Sequence, residues 1–195
     1  MTTLPNEALV RFQELMEQAR QTDLREPAAM TLATVGTNGR VSARVVLLRA
    51  FDERGFVFYT NLNSDKAHQV NAHAEVALCL HWDAIAEQVR IEGTAKAISH
   101  HEADAYWKSR DRDSQIGAWA SRQSESLDAR ETLDHRIAEY ETEFRGQAVP
   151  RPEFWSGYRV EPRRIEFWSS RPARLHERIV YELHESAWSR RMLFP

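Results

Sequence analysis

The sequence has almost no cysteine, since Cys79 is the one cysteine among 195 residues and no internal disulfide can form. Lack of disulfides is typical of a reducing compartment, and Cys79, inside an apolar run, is predicted to be a small buried core residue. No apolar run approaches the roughly 18 residues of a membrane-spanning helix, and the N-terminus has no basic-then-apolar signal pattern. We therefore expect a cytoplasmic protein.

An excess of charge of one sign is also missing, because 26 lysines and arginines stand against 29 aspartates and glutamates. The formal net charge of −3 provides no global positive field for nucleic acid. Hydrophobic residues make up 42% and charged residues 28%, which is typical of a globular protein. The length predicts one domain over residues 1–195, with an N-terminal helix in 1–25 and a linker-like turn with two prolines at 145–153.

Several motifs that define enzyme sites are absent from the sequence. There is no Gly-rich phosphate loop, no paired Cys-x-x-Cys, no His-Glu-x-x-His and no serine on a sharp Gly-flanked turn. His100 and His101 are adjacent, and neighbouring positions on a helix do not share a face. We therefore expect neither a metal site nor a hydrolase triad.

Hydrophobic periodicity and turn residues predict strands in antiparallel runs, with helices inserted between them. Asn38-Gly39 between two apolar runs is a strong hairpin signal. We predict helices over 4–22, 64–73 (capped by Ser64), 100–110 and 126–144 (capped by Ser126), and strands over 30–36, 41–51, 56–61, 75–82, 87–98, 157–170, 173–183 and 187–195. The expected fold class is α+β, mostly β, with an antiparallel sheet or barrel and peripheral helices.

Cationic side chains in apolar strands are candidates for anion binding. Arg44 and Arg49 lie in the strand VSARVVLLRA, where an unpaired charge is costly to bury. Each could equally be a strand-end arginine that reaches solvent or a carboxylate. The exit of the strand 56–61 adds hydroxyls and, near a helix start, Lys66, a combination that suits a phosphate. Ser64 there could equally be only a helix cap.

Two further stretches are rich in polar side chains. Residues 106–124 are predicted to form a binding loop, because a charged helix end does not explain their Gln, Ser, Gly and Trp content. If the chain from Arg174 is extended, Arg174, His176 and Arg178 share one face, since strand side chains alternate. Such a face needs an anionic or electron-rich partner, which alternation does not identify.

Together these stretches resemble the pyridoxamine (pyridoxine) 5′-phosphate oxidase family from about Glu26 to Pro195. The resemblance is carried by RVVLLR (44–49), FYTN (58–61), SDKAHQ (64–69), QVRIEG (88–93), SRDRDSQIGAWASRQS (109–124), FWSGYRV (154–160) and IEFWSSRPARLHER (165–178). It implies a split β-barrel and a homodimer that binds FMN at its interface. It also implies oxidation of pyridoxamine or pyridoxine 5′-phosphate to pyridoxal 5′-phosphate, with O2 as acceptor and release of H2O2.

The resemblance also implies site residues. The implied FMN contacts are Arg44, Val45, Val46, Leu47, Leu48, Arg49, Tyr59, Thr60, Lys66, Gln88, Gln123, Ser124, Trp168 and Arg178, with Arg44 and Lys66 on the phosphate. The implied substrate contacts are Arg49, Tyr106, Arg110, Ser114, Arg174, Leu175 and His176. Arg174 and His176 are also the implied catalytic residues, which hold the substrate ring and assist removal of a proton.

The chain departs from the family pattern at four positions. Arg49 replaces a usual Lys, Asp65 and Glu87 stand where Arg is common, and Asp111 stands where Pro is common. The Arg- and Tyr-containing N-terminal lid of many members has no match, so we expect another element to close over the substrate.

Two alternatives stay open. One is a related flavin oxidase of a phenazine-type pathway, although Tyr106, Arg110 and Ser114 argue for a phosphorylated substrate. The other is a non-catalytic carrier of flavin or pyridoxal phosphate.

Overall fold

A computed structural model describes residues 3–195, which contain five α-helices and nine β-strands. The helices are α1 (Asn6–Arg20), α2 (Asp65–Ala72), α3 (His100–Ser109), α4 (Arg112–Ala120) and α5 (Arg130–Glu143). The strands are β1 (Ala29–Val35), β2 (Val41–Leu47), β3 (Ala50–Asp52), β4 (Gly55–Asn61), β5 (Glu75–Trp82), β6 (Glu87–Ala97), β7 (Trp155–Ser169), β8 (Glu177–His184) and β9 (Ala187–Leu193). No helix within 3–195 is long and apolar enough to cross a membrane.

The nine strands form one antiparallel sheet that divides at β7, which confirms the predicted α+β class. The order is β2-β1-β5-β6-β7-β4-β3, and β8 and β9 form a separate branch from β7. One edge of β7 pairs with β6 along most of its length, while the other edge pairs first with β4 and then with β8. A sheet that branches in this way has the shape of the split barrel implied by the resemblance.

The predicted N-terminal helix packs on the main core. Its buried side chains recur at helical spacing and are Ala8, Phe12, Leu15, Met16 and Ala19. The Phe12 ring lies edge-on to Phe51 and Phe56, with centroid distances of 4.8 and 4.9 Å. These contacts hold α1 against β3 and β4, because buried aromatic pairs add to the hydrophobic effect.

A second cluster of buried side chains fixes α3 and α4 against the start of β7. Trp107 and Ile116, on α3 and α4 respectively, pack with Trp155 in this cluster. The Trp107 ring lies 4.9 Å from that of Trp155, and its Nε1 donates to the Val149 carbonyl over 2.9 Å. This cluster positions the two helices that border the candidate site.

The predicted strand over 173–183 is wrong in its first part. Pro172–Arg174 forms a 3₁₀ turn, and Ala173 and Arg174 have φ of 58° and 60°. These left-handed residues break the extended run, so β8 begins only at Glu177. Arg174 therefore does not share a strand face with Arg178.

Three other elements differ from the prediction. The predicted strand over 41–51 is interrupted after Leu47. The predicted loop over 106–124 contains α4. Asp111 caps this helix, since its side chain accepts a hydrogen bond from the Ser114 N–H over 2.7 Å. The helix over 126–144 starts at Arg130, so Ser126 is not its cap. Ser64 stands at the predicted cap position of α2, but its hydroxyl donates to the Asn61 carbonyl instead.

Cys79 is only half-buried, which corrects the prediction of a buried core residue. Its neighbours Leu78 and Leu80 face the core on the opposite side of β5. Alternation of side chains along the strand therefore turns Cys79 away from the core.

Gly93 lies at an irregularity in the pairing of β6 with β7, where a Cβ would overlap the Glu161 carbonyl oxygen. We expect Gly93→Ala to lower the free energy of unfolding by about 3 kcal/mol, because the backbone must move apart. Urea denaturation measures this loss. The matched control is Gly117→Ala in α4, where an added methyl meets nothing within 4 Å, and it should be neutral or stabilise by about 0.5–1 kcal/mol. Equal stability of both variants would contradict the role of Gly93.

Candidate functional site

A cleft of about 630 Å³ opens between β2, β4, α3 and α4. The structure brings eleven predicted site residues to its walls, namely Val45, Val46, Leu47, Arg49, Tyr59, Thr60, Lys66, Tyr106, Arg110, Ser114 and Gln123. They come from elements far apart in the sequence, and the pairing of β4 with the start of β7 carries Tyr59 to Trp155 on the same wall.

One end of the cleft is cationic and lies at the N-terminus of α2. Lys66 Nζ donates to Gln123 Oε1 over 2.9 Å and to Ser64 Oγ over 3.1 Å, both of which are neutral acceptors. Burial lowers the pKa of Lys66, the nearby Arg44 guanidinium lowers it further, and Asp65 opposes this. A half-buried ammonium beside a second cation and a helix N-terminus is suited to hold an anion such as phosphate.

Arg44 stands behind this end rather than on the wall of the cleft. Its guanidinium donates to Thr34 Oγ1 over 2.6 Å and to Gln69 Oε1 over 2.9 Å, and it also reaches Leu32 O and Ser42 Oγ. Burial lowers the pKa of Arg44, and Asp65 opposes this shift. Arg44 therefore adds positive potential behind Lys66.

The other end of the cleft carries a second cationic pair, Arg110 and Arg49. Arg110 Nη2 donates to the Ser114 carbonyl over 2.9 Å, and its guanidinium lies 4.7 Å from the centre of the Trp155 ring. Burial lowers the pKa of Arg110, and the positive charge of Arg49 contributes to the same shift. Arg110 Nε is buried without a hydrogen-bond partner in the described part of the chain, which is uncommon for a buried donor.

Neither cationic end is neutralised by a salt bridge. Within residues 3–195, Arg44, Lys66, Arg49 and Arg110 are absent from every ion pair, although most other arginines of the sheet pair with carboxylates. Arg44, Lys66 and Arg110 are half-buried and Arg49 is exposed. Partly desolvated charges without an ionic partner favour ligands with anionic groups at both ends of the cleft.

A stack of aromatic rings forms the wall beside Arg110. The Tyr59 and Tyr106 rings are 3.9 Å apart and nearly parallel, and the Tyr59 and Trp155 rings are 5.3 Å apart. Burial raises the pKa of Tyr59, so its hydroxyl stays protonated at neutral pH. The wall is thus rigid and offers phenolic donors next to the cations.

The sequence analysis missed several residues of the cleft, namely Asn61, Ser109, Asp111, Gly117, Ala118, Ser121 and Trp155. The signal for some of them was present, because Ser114, Gly117 and Ala118, which line the cleft from α4, recur at the i, i+3, i+4 spacing of one helix face. The interpretation of residues 106–124 as a loop hid this face. Asp111 has a structural role as the cap of α4, and its hydrogen bonds with Ser114 hold its pKa below the usual range.

The remaining predicted residues are placed differently. Leu48 is 5% exposed and belongs to the main core. Ser124 lies beside the Lys66 end, where its Oγ accepts from the Asp65 N–H over 3.2 Å. Gln88, Trp168 and Arg178 are paired side by side across β6, β7 and β8.

The side chains around Trp168, which include Gln88, His176 and Arg178, lie far from the cleft. His176 packs on the Trp168 ring at a centroid distance of 4.5 Å, and with Leu175 it lines a second cleft of about 420 Å³ next to the C-terminal residues 192–195. Along β7, Trp168 is about 11 residues, roughly 35 Å of strand, beyond the residue opposite Tyr59. One chain therefore does not bring the two groups of predicted residues together.

The described residues contain no group of three or more His, Cys, Asp or Glu side chains that could hold a metal ion. The cationic ends, hydroxyls and amides of the cleft instead fit a phosphorylated organic cofactor or substrate.

Two family models match most of the chain. A family model described as "Pyridoxamine 5'-phosphate oxidase" matches residues 15–144, and one described as "Pyridoxine 5'-phosphate oxidase C-terminal dimerisation region" matches residues 155–195. A curated pyridoxine/pyridoxamine 5′-phosphate oxidase from Myxococcus xanthus (strain DK1622) is 52% identical over 192 residues, covering 98% of this chain and 93% of that protein. A protein of the same name from Xanthomonas euvesicatoria pv. vesicatoria is 50% identical and is covered in full.

Two solved structures share the fold. PhzG from Burkholderia lata 383, in complex with tetrahydrophenazine-1-carboxylic acid, has a TM-score of 0.92 and 34% identity, covering 98% of this chain and 94% of that one. An FMN-binding protein from Nostoc punctiforme PCC 73102, related to pyridoxamine 5′-phosphate oxidase, has a TM-score of 0.80 at 18% identity, and both chains are covered in full. The second likeness concerns the fold alone.

Proposed function

Because the chain belongs to the pyridoxamine 5′-phosphate oxidase family, we propose that it is an FMN-dependent oxidase of vitamin B6 phosphates. Its substrates are pyridoxamine 5′-phosphate and pyridoxine 5′-phosphate, its product is pyridoxal 5′-phosphate, and O2 is reduced to H2O2. The observation that carries the proposal is the cleft with two unpaired cationic ends, one for each of two phosphate groups.

The residues at the first end fit the phosphate of FMN. Lys66 supplies an ammonium donor, Arg44 adds charge from behind, and the N-terminus of α2 adds backbone dipoles. Thr60 and Gln123 share a hydrogen bond at this end and supply neutral polar groups for the rest of the cofactor. When bound, FMN supplies the two-electron oxidation and the reaction with O2, which side chains cannot provide.

The residues at the second end fit the phosphate of the substrate. Arg110 is held over Trp155 and offers its unpartnered Nε–H, Arg49 adds a second charge, and Tyr106 and Ser114 add hydroxyls. A phosphate gripped by several fixed donors restrains the substrate ring, which lowers the entropic part of the barrier.

Trp168, Arg174, His176 and Arg178 form a second group of site residues, apart from the cleft. This group completes the site from the partner subunit of a homodimer. Within one chain, roughly 35 Å of β7 separates this group from the cleft, so a second copy is needed to supply it. The match of residues 155–195 to a dimerisation region supports this arrangement, because it contains Trp168, Arg174, His176 and Arg178.

His176 has a defined role in holding the substrate within this proposal. Its Nδ1 accepts from the Arg171 N–H over 3.3 Å, so the neutral ring carries its proton on Nε2. Nε2 is then a donor that holds a substrate oxygen or nitrogen. The exposed Arg174 turn next to it presents a cation to the substrate ring.

An oxidase assay tests the proposed function. The purified yellow protein, given pyridoxamine 5′-phosphate in air, should form pyridoxal 5′-phosphate and H2O2 in equal amounts, followed by absorbance and a peroxidase-coupled assay. Pyridoxamine without phosphate is the control substrate and should react far more slowly, because it has no group for Arg110. Tight binding of the phosphate ester without turnover would indicate a carrier instead.

The similarity to PhzG favours a second candidate, a flavin oxidase acting on a phenazine precursor. A phenazine carboxylate is also an anion and would pair with a cation at the substrate end. Arg110 and Arg49 together with the hydroxyls of Tyr106 and Ser114 nevertheless offer the larger set of donors that suits the three oxygens of a phosphate. Parallel assays with a reduced phenazine carboxylic acid and with pyridoxamine 5′-phosphate distinguish the two activities.

As the pH is raised, the affinity for FMN should begin to fall at a lower pH than it would if Lys66 had the usual pKa of a lysine. Burial and Arg44 lower the pKa of Lys66, and only its protonated form binds phosphate, so affinity is lost as pH rises through that lowered pKa. The loss should therefore begin below about pH 10.4, the usual lysine value. Fluorescence titration of FMN across this range measures it. Lys66→Arg, which stays protonated, should remove the alkaline loss, and an unchanged profile would contradict the assignment.

A further inference from the structure

Glu166 is a carboxylate buried in the sheet directly beneath Arg178. It is 1% exposed and lies on β7 between the core residues Ile165 and Phe167. A carboxylate in such a place costs free energy unless it is paired and fully hydrogen-bonded. None of the roles above accounts for Glu166.

Three guanidinium groups surround this carboxylate. Arg178 Nε donates to Oε1 over 2.7 Å, Arg164 Nη2 donates to Oε2 over 2.7 Å, and Arg90 Nη1 lies 3.5 Å from Oε2. These hydrogen bonds keep the pKa of Glu166 below its usual range despite its burial. Glu166 is therefore ionised at neutral pH and attracts all three arginines.

Strand register explains why Glu166 reaches Arg178. Glu166 is paired with Val180, so Arg178 is its diagonal neighbour on the same face of the sheet. Arg178 Nη1 also donates to the Phe194 carbonyl over 3.3 Å. The guanidinium is thus held along its Nε edge and at one Nη, and its remaining N–H groups stay available.

The second carboxylate of the network, Glu92, does not contact Arg178. Glu92 Oε1 accepts from Arg164 Nη1 over 2.9 Å and from Arg90 Nη2 over 3.4 Å. Two carboxylates thus face three guanidinium groups, and the network keeps one positive charge in excess. Glu92 and Glu166 both bind Arg90 and Arg164, but only Glu166 binds Arg178.

We propose that Glu166 is the positioning residue that fixes the guanidinium of Arg178 against the flavin ring. The inference rests on the proposed function, in which Arg178 belongs to the FMN site. A guanidinium held beside the flavin would stabilise the negative charge of its reduced form. Glu166 itself touches no ligand. It acts by limiting Arg178 to one orientation, so that no ordering of a long side chain is needed when FMN binds or is reduced.

The test compares Glu166→Gln with the matched control Glu92→Gln in the purified full-length holoprotein. FMN release on dilution, followed by the gain in flavin fluorescence, gives the dissociation constant. Glu166→Gln should raise this constant about tenfold, whereas Glu92→Gln should change it less than twofold. Thermal unfolding of both variants separates this effect from a general loss of stability.

The reduction potential of bound FMN distinguishes the two roles of Glu166. It would stay unchanged on substitution if Glu166 only stabilised the fold. Loss of a well-placed Arg178 should make reduction about tenfold less favourable, a decrease of about 30 mV for two electrons. In an Arg178→Gln background, adding Glu166→Gln should have no further effect on affinity or potential. If Glu166→Gln yields no folded holoprotein, Glu166→Asp keeps the charge at a shorter reach and should give a smaller shift in the same direction.

The outcomes separate this inference from the proposed function. If Arg178→Gln weakens FMN binding while Glu166→Gln behaves like Glu92→Gln, the positioning role is overturned and the assignment of Arg178 to FMN stands. If Arg178→Gln leaves FMN binding and potential unchanged, Arg178 does not contact the cofactor, and the inference falls with that assignment.

Discussion

A heterodimer of two inactive variants of this chain should regain about half of the wild-type activity. The variants are Arg110→Met, which alters the cleft, and Arg174→Ala, which alters the group near the C-terminus. Each homodimer should lose about 100-fold in kcat/KM, because both of its sites lack one substrate contact. In a symmetric heterodimer, one site carries both substitutions and the other carries neither, so about one site in two is intact.

Co-expression with two different tags and purification through both isolates the heterodimer. The matched control is a heterodimer of Arg110→Met and Arg49→Met, whose substitutions lie in the same cleft. Both of its sites are impaired, so it should show no recovery. Recovery in the control, or none in the first pair, would contradict a site shared between subunits. The experiment therefore tests whether the cleft of one subunit is completed by the Arg174 end of the other, as the separation of the two groups along β7 requires.

Loss of the charge of Arg110 should remove the enzyme's preference for phosphorylated substrate. Arg110→Met keeps an aliphatic stem on Trp155 but removes the donors, including the unpartnered Nε–H. We expect kcat/KM for pyridoxamine 5′-phosphate to fall by about 10²–10³, or about 3–4 kcal/mol, as for loss of one partner in a buried charge pair. The kcat/KM for pyridoxamine without phosphate should change less than about threefold, because that substrate never uses the contact.

Steady-state kinetics with both substrates measures this change in selectivity. The matched control is Arg130→Met at the start of the exposed α5, whose ion pair with Asp134 is solvent-exposed, and its kinetics should match the wild type. Arg49→Lys keeps the charge of the second cation and should have a small effect on kcat/KM. A parallel loss for both substrates with Arg110→Met would show that Arg110 acts through the fold and not through the phosphate.

Much of the site could be predicted from the sequence because its motifs are local. RVVLLR, FYTN and SDKAHQ each place polar groups at the exit of a strand or the start of a helix, and the structure brings Arg49, Tyr59 and Lys66 to one cleft. The helix face formed by Ser114, Gly117 and Ala118 was also present in the sequence, but the polar composition of the segment favoured a loop.

The position of Arg44 could not be predicted in this way. The sequence indicated only that it lies in an apolar strand, but its guanidinium turns to Thr34 and Gln69, which belong to β1 and α2. Arg44 contacts these partners because β1, β2 and α2 pack together in the tertiary structure. The same holds for the network of Glu166, whose arginines lie on three different strands.

The sequence by itself determined most of the elements, the antiparallel class of the sheet and the chemical character of the site, because side-chain periodicity and turn residues act over short distances. Only the tertiary structure decided that the Arg174 end of RPARLHER is a turn and that the two groups of site residues lie far apart on one chain. The physical reason is that strand pairing joins residues about 100 positions apart, as for Tyr59 with Gly157, and no local pattern encodes which strands meet.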